Sequence, residues 1–293
     1  MKNLRVMVFA AAAATMMMAG AAQATTVNNT ALGTITPGTT TTDATGTRST
    51  NPSSTILAGE TPATNQWQQE NVRGNGVVGI TTDYARSGNG SAFFSTDGSS
   101  PSKADLEYYL STPVLLSDFQ GGSYDWFRDS ASTVGPAPAP SYRLMLANAA
   151  GTYAGYGIFE PYENGPNTVP VNTWTTENIT TGGSQLWWNN TNVVLPTACV
   201  GSRLACLHTI ADVSAVNVGM KVIGFSTGAG SGWTGGTFRG AVDNFSTTFS
   251  GQTTTSNFEV ASGAVPEPAS WALMILGFGS AGAMLRRRKL ATA

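Results

Sequence analysis

The 293-residue chain has little that catalysis usually needs: one histidine, two cysteines, and only 11 % charged residues. With His208 as the single imidazole, neither a serine or cysteine triad nor a multi-histidine zinc site can be assembled. The two cysteines, Cys199 and Cys206, have six residues between them rather than the two of a redox Cys-x-x-Cys, so dithiol redox chemistry is excluded as well. Lysine occurs four times, and residues 25–265 hold nine basic against sixteen acidic side chains, a net of −7 where the whole chain is −2. Nucleic acid requires clustered basic side chains that release counterions, so it is not an expected partner.

Glycine and threonine are abundant and charge is low, a composition that disfavours helix and suits an all-β exported domain. The N-terminus carries Lys2 and Arg5, an apolar run from Val6 to Ala19, and Ala22-Gln23-Ala24. This is the charged, apolar and small-residue order of a secretory signal, with cleavage expected after Ala24. A second apolar segment, Trp271 to Leu285, ends in Arg286-Arg287-Arg288-Lys289, whose charge would keep that end cytoplasmic. As a helix it spans about 22 Å at 1.5 Å per residue. A hydrocarbon core is about 30 Å thick, so this transmembrane helix suits temporary better than permanent retention in the inner membrane.

Between the ends, residues 25–54 are rich in Thr, Gly and Ser and are expected to form an arm or linker, although Val27, Leu32 and Ile35 leave a first edge strand open. Residues 55–250 are expected to form one sandwich, and 251–264 a polar stalk. Short apolar runs separated by turn signals predict strands at 76–80, 91–95, 104–110, 123–128, 142–147, 153–159, 173–179, 218–227 and 237–249. Within 104–110, Ala104, Leu106, Tyr108 and Leu110 alternate with Asp105, Glu107 and Tyr109, which predicts one buried and one wet face. Ser87-Gly88-Asn89-Gly90 marks a turn, and the prolines of Gly135 to Pro140 a surface loop.

Cys199 and Cys206 are expected to form a disulfide in an exported chain, worth about 2.5 kcal/mol for so short a loop. Gly74-Asn75-Gly76-Val77-Val78-Gly79 fits a dinucleotide pattern, but strand-forming Ile80-Thr81-Thr82 follows where a helix is required. Asp105 and Glu107 are the pair that a hydrolase reading would use. Trp174, Trp187, Trp188 and Trp233, with Tyr153, Tyr156 and Tyr162, offer faces that could stack on sugar rings. Trp187 and Trp188 are adjacent on a predicted strand, so at most one of them is core and the other points outward.

Val265-Pro266-Glu267-Pro268-Ala269-Ser270-Trp271-Ala272, followed by the weak apolar helix and the basic cluster, resembles the PEP-CTERM sorting tag over residues 265–293. That resemblance implies recognition through Pro266, Glu267, Pro268, Trp271, Arg286, Arg287 and Arg288. It also implies processing by an exosortase and delivery from the inner membrane to the cell envelope or extracellular matrix. Tags of this kind also go by the name of an ice-binding protein C-terminal domain, yet ice recognition wants regular Thr-x-Thr rows and the threonines here cluster in the arm. In the ectodomain, Trp67, the Ser87 to Ser95 run and Phe238-Arg239-Gly240-Ala241-Val242-Asp243-Asn244-Phe245 resemble galactose-binding-like jelly rolls of carbohydrate-binding modules. This second resemblance implies one structural calcium held by Glu60 and Asp243, and a possible exopolysaccharide ligand. Three readings remain open at this stage: a non-catalytic polysaccharide-binding envelope protein, a structural surface protein without a ligand, and a glycan hydrolase.

Overall fold

The computed structural model describes residues 24–34, 39–50, 62–188, 192–200 and 206–261, together with Phe278. The signal sequence, Glu60, Pro266, Glu267, Pro268, Trp271 and Arg286 to Arg288 lie outside the described residues. Among the described residues no helix is long and apolar enough to cross a membrane, and the 271–285 segment falls outside them except for Phe278.

In chain order the elements are β1 (Thr25–Asn28), β2 (Gly33–Thr34), β3 (Thr39–Asp43), β4 (Gly46–Thr50), β5 (Trp67–Arg73), β6 (Val77–Thr81), β7 (Ser91–Thr96), β8 (Lys103–Leu115) and β9 (Phe119–Arg128). They continue with β10 (Ser141–Ala147), β11 (Tyr153–Phe159), α1 (Pro161–Asn164), β12 (Thr175–Ile179), β13 (Leu186–Trp188), β14 (Leu207–His208), α2 (Ile210–Val216), β15 (Lys221–Gly230), β16 (Phe238–Phe249) and β17 (Gln252–Glu259). They form two sheets. An eight-stranded sheet runs β14-β13-β11-β10-β15-β8-β5-β2, and a nine-stranded one runs β1-β17-β16-β7-β6-β4-β3 with β9 added beside β16 and β12 beside β9. The all-β, jelly-roll sandwich expected from the sequence is the observed class.

The two inner faces close on one core. Leu106, Tyr142, Leu144 and Phe225 of one sheet meet Ile80, Phe94, Trp126, Phe245 and Phe258 of the other. Trp67 sits at the centre with its ring edge-on to Tyr108, Phe225, Phe245 and Phe258 at 5.2–5.7 Å, and its Nε1 donates to Ser256 Oγ at 2.8 Å. A ring so enclosed is costly to remove, about 3–5 kcal/mol for truncation to alanine.

Both ends of the domain contribute strands, and β1 contains Val27, where a first edge strand was left open. The 25–54 arm supplies β1, which pairs in parallel with β17, and β4, which pairs with β6 from Gly46↔Thr81 to Thr50↔Val77. The 251–264 stalk supplies β17 itself, paired with β16 from Phe245↔Ser256 to Phe249↔Gln252. Both segments are polar and threonine-rich, and they read as unfolded because an outer strand has to bury only part of itself. Val27, Ser49, Ser256 and Phe258 are enough, while β-branched threonine suits the rest. The Gly135 to Pro140 loop carries no ladder, as expected, but its carbonyls accept from Arg128 and from the Tyr124 hydroxyl.

Candidate functional site

Strand register builds a row of side chains across the outward face of the eight-stranded sheet. Trp187 opposes Ile158, Ile158 opposes Arg143, Arg143 opposes Ser226, and Ser226 opposes Glu107. One step along, Asp105 opposes Gly228, which opposes Ser141; Lys103 opposes Gly230. Neighbouring strands lie about 4.8 Å apart, so the row extends over roughly 20 Å. The chain leaving β15 rises beside it as Ser231-Gly232-Trp233, and the result is a cleft of about 360 Å³. Lys103, Ser141, Arg143, Tyr156 and Ile158 line its floor, with Glu160, Trp187 and Trp233 around it.

The outward face of β8 was expected to be wet, and it is buried instead: Asp105 and Glu107 are 0 % and 1 % exposed. Ion pairing explains this. Asp105 takes Lys103 Nζ at 2.6 Å and Arg143 Nη1 at 2.5 Å. Glu107 accepts from the hydroxyls of Tyr109 at 2.6 Å and Tyr156 at 3.0 Å, and from Asn71 Nδ2 at 3.4 Å. The two carboxylates therefore lie beneath the floor and orient the groups above them. Burial holds the Lys103 ammonium below its ordinary pKa against the pull of Asp105, and burial raises the Tyr156 phenol. Gly228 leaves the room this needs, since a Cβ there would stand 2.2 Å from Asp105 Oδ1.

The four tryptophans singled out in the sequence separate. Trp188 points inward, 1 % exposed, over Gly157 and with its Nε1 donating to the His208 carbonyl at 2.9 Å. Trp187 and the partly buried Trp233, edge-on to Phe238 at 5.0 Å, line the cleft. Trp174 immediately precedes β12 of the other sheet, tilted against Phe127, with the Arg86 guanidinium 5.9 Å above its ring. Of the tyrosines, Tyr156 lines the cleft, Tyr153 meets it edge-on at 6.1 Å, and Tyr162 packs against the core. Lys103, Arg143 and Glu160 were not picked out in the sequence. Asp105 and Glu107 alternating along β8 are the signal in the sequence, and that pattern by itself fits a solvated face equally well.

Of the two expected calcium ligands, Asp243 is among the described residues and Glu60 lies outside them. Asp243 is fully buried, and its two oxygens accept the backbone N–H groups of Ser87 at 3.1 Å and Phe258 at 3.0 Å. Among the described residues no group of three or more His, Cys, Asp or Glu side chains is arranged to hold a metal ion. Desolvation is the largest influence on Asp243 and raises its pKa to about 6 despite these hydrogen bonds. Cys199 and Cys206 are joined as a disulfide. The Gly74–Gly76 stretch of the glycine pattern is a turn from β5 into β6, with no helix after it.

Residues 264–289 match the PEP-CTERM protein-sorting motif. A tag of this kind marks a chain for export and sorting to the cell envelope or the extracellular space. No curated protein matches the chain. Among solved structures, the chain is similar to the family 11 carbohydrate-binding module of a cellulosomal cellulase of Clostridium thermocellum, with 11 % identity, a TM-score of 0.37, and coverage of 70 % of this chain and 94 % of that one. It is also similar to a xylan-binding domain of carbohydrate-binding family 22, with 13 % identity, a TM-score of 0.33, and coverage of 68 % and 93 %. A third likeness is to an arabinose-bound α-L-arabinofuranosidase, with 17 % identity, a TM-score of 0.32, and coverage of 65 % of this chain and 25 % of that one.

Proposed function

We propose that the chain is a non-catalytic exported protein that binds a neutral polysaccharide in the cleft of the eight-stranded sheet, after sorting by an exosortase-type enzyme. The observation that carries this reading is the placement of two partly exposed indoles, Trp187 and Trp233, around a floor of fixed hydrogen-bonding groups. Sugar rings present an apolar face to an aromatic ring and hydroxyls around their edge. Lys103, Arg143, Ser141 and the Tyr156 oxygen supply partners for such hydroxyls without moving, because Asp105 and Glu107 hold three of them from below.

Neutral ligands fit better than anionic ones. The two cations of the floor already share Asp105, Glu160 stands beside them, and residues 25–265 carry a net charge of −7 that repels polyanions. Hydrolysis is disfavoured on the same geometry, since an acid and a base must face the scissile bond. Asp105 and Glu107 are engaged beneath the floor, which leaves Glu160 as the carboxylate in the lining. Stacking with a few hydrogen bonds corresponds to millimolar to micromolar binding, about −4 to −8 kcal/mol. A glycan array followed by calorimetric titration of the protein tests this; absence of binding to any neutral glycan leaves the structural-protein reading in its place.

A further inference from the structure

The turn at Ser87 to Gly90 plays no part in the cleft, and it closes instead on the strand that leads to the sorting motif. Asn89 grips the backbone of Val260 with both ends of its amide: Nδ2 donates to the Val260 carbonyl at 2.9 Å, and Oδ1 accepts its N–H at 3.0 Å. On the other side, Asn29 Oδ1 accepts the N–H of Ala261 at 2.7 Å, and Asn29 Nδ2 is anchored on Thr47 Oγ1 at 2.9 Å. Gly90 lets the turn lie flush, because a Cβ there would come within 2.8 Å of the Val260 nitrogen. Asp243 ties both parts together through Ser87 and Phe258. The chain is thus clamped through Ala261, while the sorting motif begins at residue 264.

Pro266 stands five positions beyond Ala261, so it lies at most about 18 Å from the clamp even when the chain is fully extended. A domain of this size has a radius of gyration of about 17 Å. The tether is therefore no longer than the body it holds, and a membrane-embedded enzyme that acts at the tag must reach it in the narrow space beside the sandwich.

We propose that the Asn29 and Asn89 clamp is a brake on tag processing: it keeps the tether short, so that the folded domain itself slows the processing enzyme and prolongs retention at the membrane. This rests on the sorting reading of the tag. It adds that the rate is set by the fold of the exit strand and not by the motif alone.

The test follows precursor loss in a host with the processing enzyme, for wild type, for Asn89→Ala, and for a chain with about ten Gly/Ser residues inserted after Ala261, which adds up to about 35 Å of tether. The insertion leaves every clamp bond intact and is expected to speed processing about fivefold or more; Asn89→Ala, checked for an unchanged fold by circular dichroism, is expected to act in the same direction. Unchanged or slower processing of the insertion chain overturns the brake. Pro266→Ala with Glu267→Ala is the control for the tag: if it is processed like wild type, the sorting reading fails and the clamp is judged by hydrogen exchange. There the amides of Val260 and Ala261 are expected to be protected in wild type and Val260 to lose protection in Asn89→Ala, and free exchange of both in wild type overturns the clamp.

Discussion

Trp187 and Trp188 are neighbours in the chain and stand on opposite faces of the eight-stranded sheet, one lining the cleft and the other 1 % exposed in the core. The period of two along a strand produces this division, and it makes the pair a test with an internal control. Trp188→Ala is expected to lower unfolding stability by about 3–5 kcal/mol, as for other buried aromatic truncations. Trp187→Ala is expected to keep stability within about 1 kcal/mol and to weaken glycan binding about fivefold or more, the loss of one stacking ring. Denaturant unfolding and calorimetric titration of both variants measure this. Loss of stability in Trp187→Ala with unaltered binding would remove the indole from the site.

The floor of the cleft depends on Asp105. Its replacement by asparagine leaves Lys103 and Arg143, 8 % and 3 % exposed, without their shared counter-charge. Breaking one side of a buried ion pair typically costs about 3–5 kcal/mol, and a loss of that order is expected in urea unfolding at pH 7. Removing the Asp105 charge depresses the Lys103 pKa further, so the penalty is expected to shrink as pH rises and the lysine sheds its proton. A penalty that is the same at pH 7 and pH 10 would mean that Lys103 does not depend on Asp105.

Much of the sandwich was legible because its inner strands bury apolar residues on a period of two, as in Leu144 and Leu146 of β10. Strands that lie at an edge or carry polar side chains were not. β5, Trp-Gln-Gln-Glu-Asn-Val-Arg, holds two apolar residues, and β17, Gln-Thr-Thr-Thr-Ser-Asn-Phe-Glu, holds one; their neighbours in the sheets, not their composition, make them strands. For the site, the alternation in Trp187-Trp188 carried real information, since only geometry of the strand was needed. Burial of Asp105 and Glu107 was not legible: it depends on Arg143, Tyr156 and Asn71, which arrive from β10, β11 and β5. No local pattern reports such partners.

The bridge between Cys199 and Cys206 joins residues seven positions apart, next to β14 of the eight-stranded sheet. Chain entropy assigns a loop of this length about 2.5 kcal/mol. Replacing both cysteines by serine is expected to lower stability by about that amount or less. Peptide mapping of the exported protein should find the two residues cross-linked. Quantitative alkylation of both thiols without prior reduction would count against it.

Asp243 gives the fold a pH dependence whose sign is opposite to that of a carboxylate held by a cation. Burial raises its pKa from 3.8 to about 6 even though it accepts backbone N–H bonds from Ser87 and Phe258, and the nearby Glu259 pushes in the same direction. Between the two values the folded chain keeps this proton while the unfolded chain has released it, so raising the pH favours unfolding across that interval. The contribution is fully present below about pH 4 and is lost as pH rises through about 6, amounting to about 3 kcal/mol at 1.36 kcal/mol per pKa unit. Carboxylates whose pKa is lowered, Asp129 and Asp97 among them, act in the reverse sense, so the wild-type profile alone mixes both. Asp243→Asn removes one titration and leaves the others. The stability of wild type relative to this variant is therefore expected to fall steadily from pH 4 to pH 7, whatever constant offset the new amide introduces. Denaturant unfolding of both proteins at half-unit pH intervals gives that difference directly, and a flat difference curve would show that Asp243 is ionised in the fold at an ordinary pKa.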